Sequence, residues 1–146
     1  MFTDFLKRLL HPTPKPMTGG DARLALCGLL VRVARTDGAY SAAEIVQITR
    51  IIAIRYGLSH AQAEALRMEA ETFESQAPDT VRFTRAIKDA VPHEDRIGVI
   101  EALWQVALAD GRREAEEDAL LRMVASFLGI TDQESARARQ RVNGQA

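Results

Sequence analysis

The sequence predicts an all-α, single-domain bundle of about seven helices, built from two pseudo-symmetric three-helix repeats and preceded by a short amphipathic N-terminal helix. Three observations carry this. The 146 residues include 23 alanines but only 9 glycines and 5 prolines, a helix-forming balance. Apolar residues recur at helical spacing through most of the chain. The order of elements also repeats at an offset of 72 to 73 residues: LVRVARTDGAYSAAE (30–44) lies over LWQVALADGRREAEE (103–117), matching Leu, Val, Ala, Asp, Gly, Ala and Glu in place. A chain of this length buries about 70% of the surface its unfolded form exposes, enough for one core without disulfides or structural zinc. The lone cysteine, Cys27, excludes an intramolecular disulfide framework and any multi-cysteine metal site.

Taken in order, Phe2, Phe5, Leu6, Leu9 and Leu10 form one apolar face of a short first helix, which His11-Pro12-Thr13-Pro14-Lys15-Pro16 must break. Residues 1–20 therefore read as an amphipathic helix plus a linker closed by Gly19-Gly20, 21–142 as the helical domain, and 143–146 as a frayed tail. Asp21 can cap a helix to about Thr36 that is apolar nearly all round and hence central. Asp37-Gly38 ends it. Ser41 with Glu44 has capping-box spacing and opens a helix carrying Ile45, Ile48, Ile51 and Ile52, which stops at Gly57. Ser59 with Gln62 opens a more polar helix to about Ser75. Pro78-Asp79 starts a fourth, with Val81, Phe83, Ile87 and Val91, and Pro92 stops it. A fifth runs from about Glu94 to Ala109 and ends at Asp110-Gly111. A sixth covers about Ala115 to Leu128, stopped by Gly129, and Thr131 with Glu134 caps the last.

The formal net charge of −1 conceals a segregation. Residues 1–20 carry +2 and residues 135–146 carry +3 through Arg137, Arg139 and Arg141, leaving an acidic body of −6. The near-zero net charge argues against a nucleic-acid partner, and the three arginines alternate, so they read as a solvated tail. No secretory signal or membrane span is legible, and a cytoplasmic location is expected. The first ten residues could lie on an anionic membrane, but they are short for stable binding, and docking on the bundle or on a protein partner is the favoured reading. His11, His60 and His93 lack ligand or dyad spacing, Cys27 reads as a buried thiol and Trp104 as a core anchor. No nucleophile elbow, phosphate loop or dinucleotide fingerprint is present, so no enzymatic activity is expected.

The chemistry-bearing element is D-G-x5-E, found as Asp37-Gly38 with Glu44 and again as Asp110-Gly111 with Glu117. Helix capping explains it structurally. It also reproduces the second half of an EF-hand loop, with the Asp at loop position five and the Glu at position twelve. The first half is missing, since Val33 and Arg35, or Val106 and Leu108, stand where carboxylates would be needed. A divalent cation of the Ca²⁺ or Mg²⁺/Mn²⁺ type would therefore need Asp37, Glu44, Asp110 and Glu117 pooled, with Glu114 and Asp118 as further candidates.

ARTDGAYSAAE and ALADGRREAEE, each after an apolar helix and before an amphipathic one ending in Gly-Leu or Gly-Ile, resemble the tellurite-resistance TerB-like family. That family is similar in turn to the N-terminal domain of membrane-anchored DnaJ-like co-chaperones. The resemblance spans roughly Asp21 to Gln140. It implies about seven helices, no known enzymatic activity, and a metal-linked role in stress response through acidic residues, which here fall on Asp37, Glu44, Asp110 and Glu117. The alternative is a protein-interaction scaffold in which these residues only cap helices. This chain departs from the pattern in its second copy, where Glu114 replaces the capping serine and Glu116 competes with Glu117 for the equivalent place.

Overall fold

The computed structural model describes residues 19–36, 38, 40–76, 80–109 and 115–144. The expected N-terminal helix and most of the proline linker lie outside the described residues. Seven α-helices follow in order: α1 (Gly19–Arg35), α2 (Ala42–Tyr56), α3 (His60–Gln76), α4 (Val81–Ala90), α5 (His93–Ala107), α6 (Ala115–Phe127) and α7 (Asp132–Gly144). Among the described residues there is no strand.

Helix α1 is the hub. Leu26, Cys27, Leu29, Leu30, Val31 and Val33 are all buried, and the helix packs on α2, α3, α4, α5 and α6. A helix apolar around its whole circumference can only be stable when surrounded. Each fully buried Leu or Val contributes about 1.5–3 kcal/mol of transfer free energy. Helix α5 is the second core element, burying Val99, Ile100, Leu103, Trp104 and Val106 against α1, α2, α6 and α7. The Trp104 indole donates to Ser135 Oγ at 3.1 Å, tying α5 to α7.

Close approach at α1 depends on Gly28. A Cβ there would stand 2.7 Å from Cε1 of Phe83, whose ring meets Phe73 edge-on at 5.3 Å. The missing side chain lets α4 lay an aromatic ring directly on the α1 backbone.

The expected punctuation is realised by hydrogen bonds. Ser41 Oγ accepts from Glu44 N at 3.1 Å while Ser41 N donates to Glu44 Oε1 at 2.9 Å. Ser59 with Gln62 and Thr131 with Glu134 form the same reciprocal pair at the starts of α3 and α7. Gly57 and Gly129 both hold left-handed conformations, with φ of 62° and 75°. They lie 72 residues apart, where the sequence repeat places them.

Four details differ from expectation. Helix α1 begins at Gly19, so Asp21 sits inside the first turn rather than capping it. Helix α4 begins at Val81, and its N-cap Thr80 makes no side-chain cap bond because its hydroxyl accepts from Arg32 instead, at 3.3 Å. Helix α7 continues through Asn143 and Gly144, which the frayed-tail reading leaves out. Two of the three arginines of α7 are not a solvated tail: Ser135 and Ala138 seat that helix on α5, which brings the Arg139 guanidinium 5.6 Å from the Trp104 ring and Arg141 within 3.2 Å of Glu101, while Arg137 is exposed as expected.

Candidate functional site

The first Asp-Gly turn joins α1 to α2. Gly38 N donates to Arg35 O at 3.0 Å with φ at 81°, and Thr36 Oγ1 closes back on Arg32 O at 2.7 Å. Two residues beyond, Tyr40 is half-buried and Ser41 caps α2. Glu44, the third residue of α2, is 1% exposed. Its counterpart Glu117, the third residue of α6, is also 1% exposed. Asp118 is half-buried and borders a cavity of about 160 Å³ with Trp104, Arg122 and Arg139. Asp37, Asp110 and Glu114 lie outside the described residues. Among the described residues, no group of three His, Cys, Asp or Glu side chains comes together as a metal-ligand set.

Sequence reasoning missed a polar network beside the first turn. Glu74 of α3 receives Arg32 Nε at 3.0 Å and Arg35 at 2.7 Å. Glu71 Oε2 accepts from the Tyr40 hydroxyl and from Arg67, both at 2.6 Å, and Arg67 Nε donates to Thr49. Burial and the adjoining Glu71 carboxylate push the Tyr40 phenol well above its ordinary value, so it stays a donor at neutral pH. Arg32 and Arg35 stack on the rings of Phe83 and Tyr40, at 4.9 and 5.1 Å. Both residues flanking the first turn, Arg35 and Tyr40, are therefore fastened to α3. The available signal was a shared spacing of three: Arg32 and Arg35 on α1 face Glu71 and Glu74 on α3.

The other titratable candidates behave as structural groups. Cys27 is fully buried and its thiol is pushed up to about 12, chiefly by desolvation. His60 is exposed beside Glu64 at 3.3 Å, and His93 is exposed at the start of α5. Oxygen donors alone populate the candidate site, which suits Ca²⁺, Mg²⁺ or Mn²⁺ better than a soft metal. Of the acidic residues expected to hold such an ion, Glu44, Glu117 and Asp118 are described.

An all-helical bundle in which two D-G-x5-E segments of the sequence each end on a buried glutamate, Glu44 and Glu117, defines the class. The chain belongs to the family described as tellurite resistance protein TerB, which matches residues 23–140. The fold is also similar to the crystal structure of a protein of unknown function from Porphyromonas gingivalis W83. The TM-score is 0.60 at 20% identity, covering 89% of this chain and 96% of that one. No curated protein matches. Among the described residues no helix is long and apolar enough to cross a membrane.

Proposed function

We propose that this chain is a non-enzymatic TerB module of the cytoplasm that responds to a divalent cation and serves tellurite or general stress response by engaging a protein partner. The observation that carries the reading is the burial of Glu44 and Glu117 to 1% exposure at equivalent points after the two Asp-Gly turns. Capping does not demand such burial, because Gln62 and Glu134 do the same task for α3 and α7 at the surface. A divalent cation shared with Asp37 and Asp110 would take these two carboxylates as oxygen ligands. Since Arg35 and Tyr40 tie the ends of the first turn to Glu74 and Glu71, a change in the turn would be felt at the α1–α3 contact.

Calorimetric titration of the full chain with Ca²⁺, Mg²⁺ and Mn²⁺ tests the proposal. Saturable binding that is lost in the double variant Asp37→Asn, Asp110→Asn is the expected result. Absence of binding tighter than millimolar in the wild type would leave the scaffold reading, in which the complete Ser41–Glu44 box serves only to start α2.

A further inference from the structure

A second site lies away from the Asp-Gly turns, where the first turns of α1 meet the C-terminal ends of α2 and α4. A cavity of about 160 Å³ opens there, its wall formed by Leu26, Ile87 and Val99 and its rim by Arg23, Arg55 and Tyr56. The Arg23 guanidinium lies 4.6 Å from the centre of the Tyr56 ring. Its Nε is buried and has no hydrogen-bond partner among the described residues. Arg55 approaches from the last turn of α2. The Arg55 guanidinium lies close to Gly98 on α5, where a Cβ would be in ordinary contact with it at 3.6 Å. Among the described residues, neither arginine has a carboxylate within ion-pair distance, and no Asp or Glu lines this cavity. On its far side Arg55 borders a separate shallow depression holding Glu94, Asp95 and Glu101.

Elsewhere in this protein the arginines that line helix contacts are answered. Arg32 and Arg35 meet Glu74, Arg67 meets Glu71, and Arg96 donates to three carbonyl oxygens, those of Lys88, Val91 and Leu128. A buried guanidinium donor left without an acceptor costs free energy that the fold has avoided at those sites. Two guanidinium groups and a phenol at the mouth of an apolar cavity are complementary to one kind of molecule: an anionic head on a short apolar body. A planar head suits the fork geometry of Arg best.

We infer that this cavity is a binding site for a small aliphatic carboxylate, its head held by Arg23 and Arg55 and its chain lying against Tyr56, Ala90 and Val91, the accessible part of the lining. The acidic depression beyond Arg55 repels a second anion and keeps the head on the Arg23 side. This site is independent of the cation proposed for the Asp-Gly turns.

The test is a titration of the ¹⁵N-labelled full chain at constant ionic strength and pH with acetate, butyrate and hexanoate. Inorganic phosphate is the apolar-free control. The shifts of Arg23 and Arg55 Nε–H and of the Tyr56 backbone are followed. Affinity should rise from acetate to hexanoate by at least about tenfold, as added methylenes enter the cavity. Arg55→Gln, an exposed position that leaves the core intact, should weaken hexanoate by at least about tenfold. Ala90→Leu, which narrows the cavity without touching either cation, should weaken hexanoate more than acetate. The inference is overturned if hexanoate shows no saturable binding below about 10 mM. Phosphate binding as well as hexanoate, or hexanoate affinity unchanged in both variants, overturns it equally.

Discussion

Replacing Gly28 by alanine sets two effects of opposite sign against each other, and the structure says which prevails. Gly28 is inside α1, where Ala is favoured over Gly by about 1 kcal/mol on helix propensity alone. The new Cβ would lie 2.7 Å from Cε1 of Phe83, about 1 Å inside ordinary carbon–carbon contact. Phe83 is 1% exposed and braced edge-on by Phe73, so its ring cannot swing aside into solvent. Overpacking of this kind costs about 1–3 kcal/mol, and with both partners held the upper end applies. The net expectation is a loss of about 2 kcal/mol, a fall in Tm of about 6–8 °C for a chain of this size. Urea and thermal unfolding would measure it. A double-mutant cycle with Phe83→Leu, which removes the obstructing ring edge, should return most of the loss, so the two substitutions should couple by more than about 1 kcal/mol. A Gly28→Ala protein that melts higher than wild type, or a cycle with no coupling, would refute the packing argument.

Ser135→Ala should cost about 1–2 kcal/mol by stranding the buried Trp104 indole N–H. Because Trp104 is the sole tryptophan, a shift in its fluorescence reports the same change directly. Glu74→Gln leaves Arg32 and Arg35 facing a neutral amide and should cost about 2–3 kcal/mol, discounted from a fully buried pair because Arg35 is about a third exposed; chemical denaturation checks it. With the Cys27 thiol held at about 12, the folded protein keeps a proton that the unfolded chain releases from about pH 9 upward. Stability should therefore fall as pH rises through 9 to 12, Cys27→Ala should flatten the first part of that fall, and a thiol reagent at pH 8 should react only as fast as the protein unfolds.

Local chemistry made most of the architecture readable. Each capping pair expected from Ser41-x-x-Glu44, Ser59-x-x-Gln62 and Thr131-x-x-Glu134 involves residues three apart, and each forms as reciprocal hydrogen bonds. The central place of α1 followed from its nearly continuous apolar run, Leu24 to Val33, interrupted only by Gly28 and Arg32. What escaped the sequence joins residues far apart in the chain. Arg32 and Glu74 are 42 positions apart, and Tyr40 and Glu71 are 31, so no helical period links them. The hydroxyl of Thr80, 48 positions from Arg32, accepts from that guanidinium, a contact no local pattern announces. Arg139 and Arg141 alternate in sequence, yet α5 supplies an aromatic face for one and a carboxylate for the other. Of the six acidic candidates, the structure describes Glu44, Glu117 and Asp118. Their type and spacing were legible, but the depth of burial of the two glutamates depends on how α2 and α6 seat against the core.

The most direct test of the cation reading exploits the fact that glutamine serves a capping box as well as glutamate does, as Gln62 shows in this chain. Glu44→Gln therefore removes a carboxylate while leaving the reciprocal cap of α2 in place, Glu117→Gln removes the second carboxylate, and circular dichroism and Tm without metal serve as the folding control for both. Calorimetric titration with Mn²⁺ and Ca²⁺ should then show saturable binding by the wild type, weakened at least about tenfold in each variant, a loss of about 1.4 kcal/mol. Equal binding by wild type and variants, or none by any of them, would contradict the account and leave the two glutamates as structural groups.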